Sequence, residues 1–183
     1  MRNHDHQDIS TWVRQHARRL APSSELLDLA CGKGRHTRYL ANLGHRVTAI
    51  DLNLSGIRDL TTNNQVELIE HDLENSPWPF TGRHFDGIIV TNYLYRPLFS
   101  NLLAALSAGG TLIYDTFAAG NEHLGQPENP AFLLNPGELL EAFASELHVV
   151  AYDHGRTDEP RPAIRQRLCG IRIGPESCGP EGE

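Results

Sequence analysis

The sequence predicts an α/β fold: a doubly wound, mostly parallel seven-stranded sheet with an antiparallel C-terminal hairpin strand and helices on both faces. Three observations predict it. Short apolar runs alternate with helix-like segments from residue 25 to residue 117. A loop with two glycines, CGKG, joins the first apolar run to the helix-like segment that follows. Two strand-like runs end the chain, and their connection, RTDEPRP, is too short for a crossover helix.

Each element follows from a local pattern, taken here in chain order. Residues 9–20 place apolar side chains on one helical face, and Pro22 stops that helix. Apolar and β-branched runs predict seven strands, at 25–30, 46–51, 66–72, 85–90, 109–117, 147–155 and 163–173. Helix-like patterns lie between them at 35–44, 56–64, 97–107 and 136–145. Ser55 is expected to cap the second of these helices, and Pro97 to begin the third.

Length and composition indicate one domain. The 183 residues are 39% hydrophobic and 21% charged, which suffices for an ordinary core. We expect a single domain over 1–174, in which 1–22 form an N-terminal helix or lid. A flexible polar tail is expected over 175–183.

Charge and cysteine content narrow the partners and the compartment. A formal net charge of -7 argues against a nucleic-acid or anionic-membrane partner, because phosphate binding needs a concentrated basic face. No apolar run approaches ~20 residues, so no membrane span is expected. The three cysteines form no Cys-x-x-Cys pair, so we expect no metal site. An odd cysteine count without a secretory signal predicts a cytoplasmic protein.

The loop after the first strand is the strongest functional signal. In doubly wound sheets, ligands bind outside the carboxyl ends of the strands. Gly32 and Gly34 let the backbone approach a ligand, and we expect both to form the wall of a pocket. Asp51 ends the second strand, where a carboxylate can accept hydrogen bonds from ribose hydroxyls. Together with the buried carboxylate of Asp28, which needs a partner, this predicts a nucleoside site.

The loop differs from the dinucleotide pattern G-x-G-x-x-G, because Ala30, Gly32 and Arg35 occupy its three glycine positions. Instead, an acid stands two residues before the loop, in DLACGKG. This arrangement resembles motif I of the class I S-adenosylmethionine-dependent methyltransferases, in which Ala30 replaces the first glycine. The resemblance implies a Rossmann-like fold and S-adenosyl-L-methionine as the cofactor.

Further segments resemble that family in the same order along the chain. EHDLE matches the acidic segment after the third strand, where Asp72 would meet the adenine amino group and Leu73 would offer its backbone. LSAGGTLIYDTF and the terminal hairpin match the end of the family's sheet. The resemblance implies that the cofactor is bound by Asp28, Ala30, Cys31, Gly32, Gly34, Asp51, Leu52, Asp72, Leu73 and Asn92.

Within the family, the chain resembles small bacterial methyltransferases of the tellurite-resistance type. The shared segments are CGKGRHTRYLA, AFLLNPGELLEAF and the arginines of the hairpin. That group places a histidine and two arginines near the hairpin to bind an oxyanion substrate. Arg156 and Arg167 match the arginines, whereas Gly155 stands at the histidine position with His154 beside it.

Other residues are candidates for the acceptor side. Tyr93, Tyr95 and Arg96 follow the fourth strand, although the tyrosines could equally be packing residues and Arg96 a surface residue. His36, at the start of a helix, could contact the donor carboxylate or the acceptor, or face solvent. The loop 118–136 is long enough to be functional. Its candidates are Asn121, Glu122, His123 and Phe132, and the N-terminal helix with Trp12 and Arg14 could form a second lid.

The predicted function is methyl transfer from S-adenosylmethionine to a small-molecule acceptor. A soft nucleophile, such as a thiol or a chalcogen oxyanion, needs no general base. The N-P-P-Y pattern of nucleobase and amide methyltransferases is absent, which argues further against a nucleic-acid substrate. The protein is expected to be a monomer or a homodimer. Two alternatives stay open: a non-catalytic S-adenosylmethionine-binding regulatory protein and an NAD-dependent oxidoreductase.

Overall fold

The computed structural model describes residues 9–158 and 161–174, which contain one seven-stranded sheet. Its strands are β1 (Glu25–Leu29), β2 (Arg46–Asp51), β3 (Val66–Glu70), β4 (Phe85–Thr91), β5 (Leu106–Phe117), β6 (Leu147–Thr157) and β7 (Ala163–Arg172). Their spatial order is β3-β2-β1-β4-β5-β7-β6. The first five strands pair in parallel, and β7 pairs antiparallel with both β5 and β6. The predicted fold class, including the hairpin, is confirmed.

Helices cover both faces of the sheet. They are α1 (Thr11–His16), α2 (Arg35–Asn42), α3 (Phe99–Ala105) and α4 (Glu138–Phe143). Leu102 of α3 and Phe143 of α4 belong to one buried apolar cluster, whereas Trp12 of α1 and Leu40 of α2 belong to another. Among the described residues, no helix has the length and apolar character that crossing a membrane requires.

The prediction of an α-helix over 56–64 is wrong, because the structure has only a short 3₁₀ helix there, Arg58–Thr62. Ser55 does not cap it. Its own N–H donates instead to Oδ1 of Asn53, at 2.9 Å, in a side-chain-stabilised turn. The end of this segment, TTNN, consists of weak helix formers, which explains why an α-helix does not propagate.

The N-terminal helix is docked on the sheet. The indole Nε1 of Trp12 donates to the carbonyl of Leu168 in β7, at 3.3 Å, and the side chain is buried. The apolar face of the N-terminal helix is therefore part of the core. The first eight residues and the predicted tail 175–183, with Cys178, lie outside the described residues.

The strand order creates a switch point at β1. β2 lies on one side of β1 and β4 on the other, so the crossover from β1 to β2 and the crossover from β4 to β5 run in opposite directions. At such a point, the loops after the carboxyl ends of the strands diverge and leave a crevice. The loops after β1, β2 and β4 therefore meet where the sequence predicts a ligand.

Candidate active site

The glycine loop after β1 is an open stretch of backbone. Gly32 has a positive φ of 56°, and a Cβ placed on it would meet no heavy atom within 4 Å. The loop is held to β2 by the N–H of Cys31, which donates to the carbonyl of Ile50 at 3.0 Å. A rigid, uncovered backbone is the surface on which a flat or bulky ligand group can rest.

Gly34, unlike Gly32, is enclosed by the protein on its Cβ side. It also has a positive φ, 70°, but a Cβ there would lie 2.7 Å from Cγ2 of Ile57. The space left by its missing side chain is therefore filled by the protein, and Gly34 shapes the loop by packing. Ala30, with φ of 52°, holds a left-handed conformation that glycine would adopt at lower cost.

Asp51 joins this loop to the end of β2. Its Oδ2 accepts from the N–H of Gly32 at 2.8 Å, and its Oδ1 accepts from the N–H of Asn53 at 3.1 Å. The next side chain, Leu52, is 65% exposed, which is unusual for leucine and leaves an apolar surface beside the carboxylate. The crevice thus offers an acid, bare backbone and an apolar face side by side.

The segment after β3 adjoins Asp51. The N–H of His71 donates to the carbonyl of Asp51 at 2.9 Å. Asp72 then closes a turn, because its Oδ1 accepts from the N–H groups of Glu74 and Asn75, both at 2.9 Å. The side-chain amide of Asn75, which donates to Oδ2 of Asp72 at 3.1 Å, and these backbone bonds lower the pKa of Asp72. Leu73 is buried. The structure therefore brings the predicted adenine-side residues next to the ribose-side acid.

Asp28 is a buried carboxylate at the base of the loop, 1% exposed. Its Oδ2 accepts from the hydroxyl of Thr37 at 2.5 Å. Burial raises the pKa of Asp28 to about 6, and the hydrogen bond from Thr37 opposes this only in part. Cys31 beside it is also buried, and burial raises the pKa of its thiol, so it acts as a small apolar side chain.

His36 is buried, which excludes the solvent-facing interpretation. Its Nε2 accepts from the N–H of Ser10 at 3.2 Å, and its Nδ1 lies 3.2 Å from Oγ1 of Thr91. Burial lowers the pKa of His36 to about 3, so the ring is neutral at ordinary pH. Both ring nitrogens are used to connect α2 with β4 and the N-terminal segment.

The two tyrosines after β4 face the segment that follows β3. The hydroxyl of Tyr95 donates to the carbonyl of Glu74 at 3.1 Å. Tyr93 is half-buried, and burial together with the carboxylate of Glu74 raises the pKa of its hydroxyl. The carbonyl of Tyr93 accepts from the hydroxyl of Tyr114 at 3.0 Å, which fixes the backbone at this point.

Arg96, whose side chain is 36% exposed, is bonded to the end of the loop 118–136. Its guanidinium pairs with the carboxylate of Glu138 through two nitrogens and donates to the carbonyls of Ala131 and Leu133, each at 2.9 Å. Arg96 therefore fastens the end of the loop 118–136 to the β4–α3 connection.

The start of the same loop is anchored by Asn121, which is 1% exposed. Its Oδ1 accepts from the N–H of Ile164, and its Nδ2 faces two carbonyls of the loop itself. Glu122 accepts from the N–H of Gly120 at 2.8 Å, and the side chain of His123 is 82% exposed. The expectation that Asn121 reaches a substrate is therefore corrected, because its side-chain amide bonds to β7 through the oxygen and to the loop through the nitrogen. Phe132 is exposed.

The hairpin separates the two predicted arginines. Arg156 pairs with Ile164, and Arg167 pairs with Asp153, so the two arginines project from opposite faces of the hairpin. Nε of Arg156 lies 3.0 Å from Asp158. Nε of Arg167 lies 3.4 Å from the carboxylate of Asp153. The structure therefore does not bring Arg156 to the face that Arg167 occupies.

The face of Arg167 is completed by Ser10, Asp115 and Arg165. Sequence reasoning points only to Arg165 among them, as one of several recurring arginines that could form a local basic site. Nε of Arg165 donates to Oδ1 of Asp115 at 2.6 Å, and the hydroxyl of Ser10 donates to Oδ2 at 2.6 Å. Asp115 is 5% exposed. Two signals were present in the sequence: a carboxylate inside an apolar strand, and arginines at two-residue spacing on the strand predicted beside it.

The crevice lacks the features of a metal centre. The described part of the chain contains no group of three or more histidine, cysteine, aspartate or glutamate side chains that could hold a metal ion.

A doubly wound sheet with an open glycine loop, an acid ending β2 and an antiparallel last hairpin is the arrangement that the sequence analysis predicts for an α/β domain of the methyltransferase type. Residues 26–110 match a family model described as a methyltransferase domain. The predicted resemblance to the methyltransferases is confirmed by this match over residues 26–110.

Relatives of known sequence or structure agree with this. The chain is 30% identical over 136 residues to malonyl-[acyl-carrier protein] O-methyltransferase from Serratia marcescens. The alignment covers 72% of this chain and 49% of that protein, so the chain spans about half the length of this curated relative.

Two solved structures establish the likeness in fold. TehB from Haemophilus influenzae superposes with a TM-score of 0.75 at 20% identity, over 92% of this chain and 63% of that chain. The 1,6-didemethyltoxoflavin-N1-methyltransferase from Burkholderia thailandensis superposes with a TM-score of 0.65 at 21% identity, over 89% of this chain and 76% of that chain.

Proposed function

We propose that this protein binds S-adenosylmethionine in the crevice after β1 and β2 and transfers its methyl group to a small-molecule acceptor. The observation that carries the proposal is the pairing of Gly32 and Asp51. A bare, left-handed glycine with open space above it stands 2.8 Å from a carboxylate that ends the neighbouring strand.

The residues of the crevice fit this cofactor. Asp51 would accept from the ribose hydroxyls, and the exposed side chain of Leu52 would lie against the adenine. Asp72 and the backbone of Leu73 would hold the adenine amino group. Asp28 would serve the amino-acid ammonium group, because a buried carboxylate with a raised pKa gains most from a nearby cation. Ala30, Cys31 and Gly34 would keep the loop in the shape that leaves Gly32 open.

When bound, S-adenosylmethionine supplies a methyl group on a positively charged sulfur. The protein's task is then to align the acceptor with that methyl carbon and to exclude water. Tyr93, Tyr95 and Arg167 are the acceptor-side candidates near the end of β4 and the hairpin. His36 would support this side indirectly, because its ring joins β4 to the N-terminal segment.

The relatives support the proposal without specifying the acceptor. The Burkholderia enzyme was crystallised with S-adenosylhomocysteine and 1,6-didemethyltoxoflavin, and the Serratia enzyme is named an O-methyltransferase. The net charge of -7 supports a small molecule over a nucleic acid as the partner. We further propose a cytoplasmic location and a monomeric or homodimeric state.

Thermal unfolding with and without nucleosides tests the proposal. S-adenosylhomocysteine at 100 times its dissociation constant would stabilise the protein by about 2.7 kcal/mol, and NAD should leave the melting temperature unchanged. Stabilisation by NAD alone would favour the oxidoreductase. Binding of S-adenosylhomocysteine without product from labelled donor and pooled thiol, selenite and phenol acceptors would favour the regulatory protein.

A further inference from the structure

The carboxylate of Asp28 lies at the base of the glycine loop and is almost fully enclosed, at 1% exposure. Among the described residues, only Thr37 of α2 hydrogen-bonds to it: the hydroxyl donates at 2.5 Å, and the N–H of the same residue adds to this bond. The side chain of Thr37 is fully buried, so its hydroxyl is held in place. An ionised carboxylate has about four lone-pair positions. The protein therefore satisfies Asp28 only in part.

The charged and titratable groups around Asp28 do not neutralise it. The charge of Arg35, at the start of α2, favours the ionised form, and the charge of Asp51, at the end of β2, opposes it. The thiol of Cys31 is neutral, because burial raises its pKa. In the described part of the chain, no nitrogen of a basic side chain lies within 4 Å of this carboxylate. Burial therefore dominates and raises the pKa of Asp28 to about 6.

A ligand that carries a cation would supply the missing charge. The amino-acid part of S-adenosylmethionine has an ammonium group, and the proposed function places this group at Asp28. A cation in contact with a carboxylate favours its ionised form. When the ammonium group binds, a proton held by the buried side chain must therefore leave. Donor binding and proton release are then linked, and the affinity for the donor depends on pH.

We propose that Thr37 is a positioning residue that holds Asp28 for the donor's ammonium group, and that donor binding is coupled to the release of a proton from this carboxylate. The inference rests on the proposed function and adds a regulation to it, since acid conditions weaken donor binding. The O–H bond of protonated Asp28 breaks, its electron pair stays on the carboxylate, and the proton passes to water or buffer. The bond from Thr37 favours the ionised form and so sets the pH at which the affinity changes.

The test is calorimetric titration of two ligands between pH 5 and pH 8. S-adenosylhomocysteine carries the ammonium group, and methylthioadenosine has the same nucleoside without the amino-acid part. The affinity for S-adenosylhomocysteine should be about tenfold lower at pH 5 than at pH 8, because Asp28 is then mostly protonated. At pH 6, buffers of different ionisation enthalpy should show release of about half a proton per molecule bound. Methylthioadenosine should show neither effect. Both ligands carry the ribose, so any titration of Asp51 is common to both.

Matched variants separate the positioning role of Thr37 from a purely structural one. Thr37→Val removes the hydroxyl at nearly constant volume, and the midpoint of the pH dependence should rise by about one pH unit. Thr37→Ser keeps the hydroxyl and should retain the midpoint of the unchanged protein. The control is Thr48→Val, because Thr48 of β2 is also buried and donates to a carboxylate, that of Glu67, at 2.8 Å. This variant should leave the midpoint unchanged.

Three results would overturn the inference. The first is an affinity for S-adenosylhomocysteine that stays constant with pH, or one that follows the same curve as methylthioadenosine. The second is an equal midpoint in Thr37→Val and Thr48→Val. The third, which does not depend on the folding of Thr37→Val, is undiminished proton release in Asp28→Asn, whose side chain cannot ionise. Failure of S-adenosylhomocysteine to bind the unchanged protein at any pH would instead overturn the proposed function, and the inference would fall with it.

Discussion

The two sides of the crevice are built in opposite ways. On the proposed donor side, the loop after β1 presents backbone with open space above Gly32, and the exposed Leu52 follows β2. The contact between Gly32 and Asp51 joins residues about twenty positions apart. On the proposed acceptor side, buried charged groups pair with one another, and Asp115 binds Ser10 and Arg165 from distant parts of the chain. An open surface suits a large ligand of constant shape, whereas a closed polar network can impose specificity.

The largest expected effect comes from breaking the acceptor-side network. Asp115→Asn would leave the nearly buried guanidinium of Arg165 without its carboxylate, which we expect to lower the free energy of unfolding by about 3–5 kcal/mol. Urea unfolding measures this. Asp59→Asn breaks the exposed pair with Arg38 and should cost at most about 1 kcal/mol. Equal losses of unfolding free energy in the two variants would mean that the buried pair of Asp115 and Arg165 stabilises the protein no more than an exposed ion pair does.

The next largest effect is a difference in stability between substitutions of Gly34 and Gly32, the two glycines of the loop after β1. Gly34→Ala would combine a strained φ with overlap against Ile57, so we expect a loss of about 3 kcal/mol of stability. Gly32→Ala has the strain without the overlap and should lose only about 1–2 kcal/mol. Its added methyl group enters the open space, so donor affinity should fall strongly. Calorimetric titration of S-adenosylhomocysteine into both variants measures this affinity. Normal binding by Gly32→Ala would contradict the assignment of Gly32 to the donor site.

The smallest effect is a pH dependence carried by Asp28. Because burial raises its pKa to about 6, the folded protein keeps a proton that the unfolded chain releases near pH 4. The stabilisation is therefore complete below about pH 3.8, and it is lost as the pH rises through 6. The difference in unfolding free energy between the unchanged protein and Asp28→Asn should change by about 2 kcal/mol between pH 4 and pH 7.

The comparison with Asp28→Asn is needed because His36 changes the free energy of unfolding with pH in the opposite direction. Its lowered pKa gives stability that is present above pH 6.5 and is lost as the pH falls through about 3. His36 is common to both proteins and cancels in the difference. A difference that is flat from pH 4 to pH 7 would refute the raised pKa of Asp28.

The same contrast explains what could be predicted from the sequence. The strand order and the donor loop follow from local patterns, since Asp28, Gly32 and Asp51 lie within one β–α–β unit. The network around Asp115 could not be assembled in the same way, because it needs the register of β7 against β5 and the docking of Ser10. Arg156 matches an arginine of the resembling group, but the register of β6 against β7 places it on the opposite face of the hairpin from Arg167.

The central claim is tested most directly by a crystal structure of the protein with S-adenosylhomocysteine. The account predicts the ribose hydroxyls within hydrogen-bonding distance of the Asp51 carboxylate, with the nucleoside resting on the backbone at Gly32. A nucleoside bound at another edge of the sheet, with Asp51 still bonded only to the protein, would contradict it.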